Sequence, residues 1–172
     1  MRKVIKLIEN EGFTVLEIEN VAPELILNEG NFAGPSFPGK LEPELNKALA
    51  ALKDMSKHDV GQALVIENGR IIALEGAEGT DAMLERVANL RELKRISQKP
   101  KNGILVKMAK VDQDRRVDLP TIGPQTVLNV AAAGLRGIVG EAGSVLVAER
   151  KKVRELAKKH KIFLVGHRAD NS

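Results

Sequence analysis

The stretch KVDQDRRVDLPTIGPQT, residues 110–126, crowds three aspartates and two adjacent arginines ahead of Pro120, Gly123 and Pro124. If residues 112–118 are extended, side chains alternate between faces. Asp112, Asp114, Arg116 and Asp118 then share one face, and Arg115 and Val117 take the other. Carboxylates hold hard divalent cations through oxygen, and arginine grips phosphate oxygens in pairs. The arrangement therefore suits a cation and a phosphate side by side. The chain next enters a helix expected to start near Gly123–Pro124, and free N–H groups at a helix start attract anions. Lys107 and Lys110 add positive charge upstream. The competing reading is a salt-bridged, solvated strand end. Asp118, flanked by Val117 and Leu119, is expected to be partly buried, and buried acids are usually paired or functional.

A second cluster lies in LEGAEGTDAMLERV, where Glu75, Glu78 and Asp81 precede a helical pattern, with Gly76 and Gly79 between them. Thr80 is expected to cap that helix, and the acids would complement its dipole. The functional alternative is a glycine-permitted loop that presents Glu78 and Asp81 to a metal or a sugar hydroxyl. In GEAGS, Gly140–Ser144, small residues allow close approach of a ligand; a plain hairpin turn explains them equally well. His58, His160 and His167 show no metal-ligand spacing and no Ser–His–Asp arrangement, and His167 is expected at the surface. There are no cysteines, so disulfides and thiolate zinc sites are excluded. Any metal would be oxygen-held magnesium, manganese or calcium.

These residues need a scaffold, and the periodicity supplies one. RKVIKLIENEG reads as a short helix and FTVLEIEN as a strand. NEGNFAGPSFPGK, rich in glycine and proline, reads as a long loop. Its Phe32 and Phe37 either fold onto the core or form an apolar wall for a ligand. EPELNKALAALKDMSK sets Leu45, Leu49, Leu52 and Met55 on one helical face, with Pro43 in its first turn. GQALVIENGRIIALEG is a hairpin around Asn68–Gly69. DAMLERVANLRELKRI is an amphipathic helix, GILVKMAK a buried strand and GPQTVLNVAAAG a helix. GIVGEAGSVLVAE gives two short strands around Gly143, ERKKVRELAKKHK a basic amphipathic helix and IFLVGH a last strand. The expected fold is α/β: a mixed β-sheet with parallel members and an antiparallel hairpin, flanked by helices. No dinucleotide fingerprint, P-loop or internal repeat occurs.

A chain of 172 residues with 43% hydrophobic residues suits one medium domain with a real core. No apolar run reaches the roughly 18 residues a membrane span needs. The N-terminus has basic residues but neither a long apolar stretch nor a small-residue cleavage site, so no signal peptide is expected. Net charge is +4 and the pI about 9.4, which fits anionic partners. Aromatics are 2%, all phenylalanine, too few for stacking platforms on single-stranded nucleic acid, so no nucleic-acid partner is expected.

Three segments carry a family resemblance: VGQALVIENGRIIALEGAEGTDAM, GILVKMAKVDQDRRVDLPTIGPQTV and GIVGEAGSVLVAER. They resemble the C-terminal catalytic domain of bacterial UDP-2,3-diacylglucosamine pyrophosphatases of the LpxI type, which are unrelated to metallophosphoesterases. The resemblance runs from about Arg2 to Arg168, and EGTDAM and DRRVDLPTIG are its specific motifs. It implies magnesium-dependent hydrolysis of UDP-2,3-diacylglucosamine to 2,3-diacylglucosamine 1-phosphate and UMP, in lipid A biosynthesis. It further implies a peripheral protein on the cytoplasmic face of the inner membrane, with a homodimer left open. By resemblance the catalytic residue is Asp118. By the same resemblance Glu78, Gly79, Thr80, Asp81, Gln113, Asp114, Arg115 and Arg116 would line the site. Lys107, Thr121 and Gly143 are further candidates to bind substrate, and Asp118, with Asp114 or Asp81 as second ligand, is the candidate to hold the metal. Asp118 as metal ligand and Asp118 as general base both stay open.

Family members look like two-domain proteins with an N-terminal α/β domain, whereas residues 1–172 resemble the second domain alone. That N-terminal domain is therefore expected to be missing and the activity of this chain alone weak or nil. The alternative reading is a non-catalytic module that binds a nucleotide sugar or a lipid.

Overall fold

The computed structural model describes residues 2–99, 101–110, 116 and 118–168. Six strands form one mixed sheet. They are β1 (Gly30–Ala33), β2 (Ala63–Glu67), β3 (Arg70–Leu74), β4 (Ile104–Lys107), β6 (Gly137–Glu141) and β8 (Phe163–His167), in the order β1-β8-β6-β4-β2-β3. Strands β4, β6 and β8 run parallel, while β1 pairs antiparallel with β8, and β2 with both β4 and β3. Two further strands, β5 (Thr121–Ile122) and β7 (Leu146–Val147), pair in parallel as a separate small sheet. The α/β fold with its antiparallel hairpin is the one the periodicity predicts. Asn68 and Gly69 both have positive φ, 51° and 71°, as a type I′ hairpin requires.

The alternation of strand side chains builds three layers. Leu64, Ile66, Ile104, Val106, Val139 and Phe163 pack on Leu41 and on Leu45, Ala48 and Leu52 of α3 (Glu42–Ser56). Val65, Leu105, Ile138 and Leu164 point the other way, onto α4 (Gly79–Glu92), α5 (Pro124–Ala132) and α6 (Arg150–His160). Each of these helices contributes an apolar stripe, such as Met83, Leu84 and Val87 of α4. Burying a side chain of that size contributes about 1.5–3 kcal/mol, so the two aliphatic layers carry most of the stability. Pro43 and Pro124 occupy first-turn positions of α3 and α5, where a missing N–H costs nothing.

Several expectations are corrected. FTVLEIEN forms no strand: it runs without regular structure into α2 (Ile18–Val21), and Phe13 and Leu16 stay 68% and 57% exposed. The chain before it is helix α1 (Arg2–Asn10), as expected. The glycine- and proline-rich segment holds β1, which pairs with β8 through its backbone while Phe32 and Ala33 pack on the core. Strand β7 does not fold back on β6 as a hairpin around Gly143; it crosses to β5. Phe32 and Phe37 settle on the core. Phe32 lies under Arg150 and Arg154, 4.5 and 4.4 Å from its ring centre, and Phe37 meets Phe163 edge-on at 5.5 Å.

Candidate active site at the strand ends

The C-terminal ends of β4, β6 and β8 lie together because these strands are parallel, and such ends are where open α/β sheets place ligands. Above them the β5–β7 pair is stapled to neighbouring loops. Leu146 N–H donates to Pro120 O at 2.8 Å, Leu27 N–H to Val145 O at 2.8 Å and Gly143 N–H to Leu27 O at 2.9 Å. This platform sets Thr121 and Gly143 at that end of the sheet. Helix α5 begins directly after β5, with the Gly123 N–H bound to Thr126 Oγ1 at 3.2 Å. Helix α4 starts beside it, and Asn129 Nδ2 of α5 donates to Asp81 Oδ1 of α4 at 2.9 Å.

Lys107 is the last residue of β4 and shares the parity of Leu105, so its side chain enters the layer beneath α4 and α5. It is 4% exposed. Its ammonium donates to Thr80 Oγ1 at 2.9 Å and to Thr121 O at 3.1 Å. Thr80 Oγ1 in turn donates to Glu75 Oε1 at 2.7 Å, and Glu75 Oε2 accepts the Gln62 N–H at 3.0 Å. Burial holds the Lys107 ammonium below its ordinary value of 10.5, while Glu75 and Asp81 pull it back up. The chain Glu75–Thr80–Lys107–Thr121 therefore ties the turn before α4 to β5 through one buried cation.

Thr80 is thus not the helix cap. It lies inside α4, and Glu78 precedes the helix. Glu78 accepts the Gly76 N–H at 3.1 Å and pairs with Arg86 at 2.8 Å; a hydrogen bond from its own backbone, and after it Arg86, holds its carboxyl below the usual range. Gly79, at φ +79°, makes a turn that a side chain would strain. Asp118 is exposed rather than partly buried: one apolar neighbour in sequence, Leu119, is itself only half-buried and does not cover it. Among the described residues its carboxylate has no hydrogen-bond or ion-pair partner. Arg116 reaches Glu9 of α1 at 2.8 Å. Asp112, Gln113, Asp114, Arg115 and Val117 lie outside the described residues, and with them the alternation expected for residues 112–118.

Residues 28–165 match the LpxI C-terminal domain. The chain belongs to that family. The UDP-2,3-diacylglucosamine pyrophosphatase LpxI of Caulobacter vibrioides is 40% identical to it over 166 residues. The aligned region covers 96% of this chain and 59% of that relative. In the LpxI C-terminal domain described here, Thr80, Lys107 and Thr121 meet in direct hydrogen bonds, and Asp81 is held next to them by α5. Glu78 turns aside to Arg86, and Arg116 to α1.

Two features at this end escaped the sequence reading. Glu75 is only 7% exposed, which an acid beside a glycine in a turn gives no reason to expect. His167 ends β8 half-buried rather than at the surface, in register with Glu141 of β6, and Glu141 Oε2 accepts the Ala109 N–H at 3.2 Å. Both follow from strand register, which one sequence does not display. Among the described residues no three acids or histidines converge on a point. Magnesium does not demand such a cage: it keeps several waters and takes one or two carboxylates plus substrate phosphate. An exposed, unpartnered Asp118 has the right chemistry for that, as does Asp81, with a single oxygen engaged by Asn129.

Proposed function

We propose that this chain supplies the catalytic domain of a UDP-2,3-diacylglucosamine diphosphatase of lipid A biosynthesis. The observation that carries this reading is an exposed Asp118, without a partner among the described residues and just ahead of the Thr121 that Lys107 holds, in a domain 40% identical to a UDP-2,3-diacylglucosamine pyrophosphatase. Water would add to the phosphorus on the lipid side of the diphosphate. The P–O bond to the bridging oxygen breaks, UMP leaves with that oxygen, and 2,3-diacylglucosamine 1-phosphate keeps the water oxygen. Asp118 is the group that meets the reacting phosphate or its water. Asp81 and, outside the described residues, Asp114 complete the carboxylates that would hold magnesium. Bound there, magnesium would neutralise charge on the diphosphate oxygens.

Around that centre the chain's own residues have separate tasks. Lys107 spends two of its three donors on Thr80 and Thr121. It positions both segments and contributes a buried positive charge that favours a phosphate above it. Gln113, Arg115 and Arg116 would line the phosphate path, with Arg116 released from Glu9. Gly79, Thr80, Thr121 and Gly143 offer backbone and hydroxyl groups for the sugar and diphosphate. Glu78 would contribute through the turn it fixes with Gly76. The acyl chains would lie on α1, where Val4, Leu7 and Ile8 are exposed and which Glu9 ties to the site segment. Such a surface also fits peripheral attachment to the inner membrane.

The test is UMP release from UDP-2,3-diacylglucosamine with and without magnesium. It is run on the chain alone and on a fusion to the N-terminal part of the Caulobacter relative. Release should be slow for the chain alone, faster for the fusion and lost with chelator. Asp118→Ala should lower the fusion's turnover about a thousandfold, with substrate still bound. In ¹⁸O water the label should enter the lipid phosphate and not UMP. Wild-type turnover by Asp118→Ala would falsify the assignment. Retention on immobilised UDP with no release by either form would replace it with a non-catalytic binding module.

A further inference from the structure

The opposite end of the sheet carries a second, chemically different hollow. Pro35, Ser36, Pro38 and Phe163, together with Lys40, Lys101, Arg136 and Lys161, line an open hollow of about 330 Å³. These cations come from four separate connections: the turn before α3, the loop before β4, the turn between α5 and β6, and the turn between α6 and β8. Among the described residues none of the four pairs with a carboxylate. Arg136 is fixed by its Nε–H, which donates to Lys101 O at 2.7 Å.

Helix dipoles explain only part of this rim. Lys161 follows the C-terminus of α6 and Arg136 follows that of α5, where cations are favoured. Lys40 instead stands just ahead of the N-terminus of α3, whose first turn carries Glu42 and Glu44, and the helix dipole there does not favour a cation. Lys101 and Lys161 both hold left-handed backbone, at φ 55° and 52°, a region that costs a side-chain-bearing residue about 1 kcal/mol or more. Glycine would fit there without that cost. Phe163, itself only 2% exposed, lines the hollow from beneath; its ring crosses β6 because Gly137 has no Cβ, and one placed there would lie 2.2 Å from the ring.

We propose that this hollow is a second binding site, distinct from the strand-end site, for a phosphate ester with a compact apolar or planar body. The phosphate would sit among Lys40, Lys101, Arg136 and Lys161, and the body would lie on Pro35, Pro38 and Phe163. Four unpaired cations over an apolar floor match an anion attached to a carbon group better than a bare inorganic ion. The ester can come from a soluble metabolite or from a phospholipid headgroup.

Titration of the ¹⁵N-labelled chain with phenyl phosphate tests the site. The amides of Lys40, Lys101, Gly137 and Phe163 should shift together, and inorganic phosphate should bind more weakly. The double variant Lys101→Ala with Lys161→Ala should bind phenyl phosphate about tenfold more weakly, equivalent to about 1.4 kcal/mol. Its thermal midpoint should stay near wild type, since both side chains are exposed. Co-sedimentation with phosphatidylglycerol–phosphatidylcholine vesicles decides the source. Vesicle binding lost in the double variant assigns a lipid headgroup; vesicle binding unchanged or absent, with phenyl phosphate binding intact, assigns a soluble ester. No shifts at these amides up to millimolar phenyl phosphate, or equal affinity in the double variant, overturns the proposal. Asp118→Ala should leave this binding unchanged, so it stands or falls apart from the hydrolase reading.

Discussion

Lys107 shows how much one buried side chain can organise. Its two hydrogen bonds hold Thr80 and Thr121 together across separate elements. Lys107→Met keeps the length and removes the donors, leaving Glu75 buried without its nearby cation. Hydrogen bonds to charged groups are each worth about 1.5–3 kcal/mol, and a loss of that size should appear in urea unfolding at pH 7, together with slower UMP release by the fusion. The pH dependence has a definite sign. Burial depresses the folded-state value of this amine below 10.5, so between that lowered value and 10.5 the unfolded chain holds more protons. Stability from this group therefore rises with pH across that window and is lowest beneath it. Subtracting the Lys107→Met unfolding free energy from that of wild type across that window should give a difference that grows with pH up to 10.5. A flat difference would show that burial does not penalise the charged form.

At the scale of elements, what could be read in the sequence depended on whether side chains or backbone define the element. Helices α3, α4, α5 and α6 and strands β2, β3, β4, β6 and β8 carry apolar periodicity against a core, and their patterns announce them. Strand β1 has exposed Gly30 and Asn31 and exists because its backbone pairs with β8, while β5 and β7 are two residues each. No local pattern marks such strands. FTVLEIEN misleads in the opposite direction, since apolar residues there find no core. The site divides likewise: the residue types in EGTD and DLPTIG were legible, but the exposure of Asp118 and the burial of Glu75 depend on packing. Arg91 of α4 is a further case. It reads as the polar face of a helix, yet its guanidinium pairs with Glu67 at 2.7 Å and donates to Ala133 O at 2.9 Å, with its side chain 12% and that of Glu67 2% exposed. It fastens the end of α4 to β2 and α5. Removing one member of a buried pair strands the other charge, so Arg91→Ala should cost about 3–5 kcal/mol in chemical denaturation. A cost under 1 kcal/mol would mean that water reaches Glu67.

Across the whole molecule the two ends of the sheet are built differently. Glu75, Asp81 and the buried Lys107 meet where the parallel strands end, and Lys40, Lys101, Arg136 and Lys161 surround the hollow where they begin. A third region, residues 4–21, is neither. Val4, Leu7, Ile8, Phe13, Leu16 and Val21 are between 40% and 68% exposed, while Ile5 of α1 anchors into the body at 2%. No helix is long and apolar enough to cross a membrane among the described residues. This apolar strip joins the segment of Asp118 through the Glu9–Arg116 pair; on the hydrolase reading proposed above, a diacylated substrate would lay its chains there. The consequence is specific to acyl length. Leu7→Ser combined with Leu16→Ser should leave stability within about 0.5 kcal/mol, as exposed substitutions do. In the fusion it should raise KM for a long-chain substrate by about tenfold, since each buried methylene contributes about 0.8 kcal/mol, with kcat little changed. For an analogue with two-carbon acyl groups the same variant should match wild type, because those groups would not reach the strip. An equal KM penalty for both substrates would mean that the strip acts on the fold of the site instead. No penalty for either would mean that something other than acyl chain covers residues 4–21.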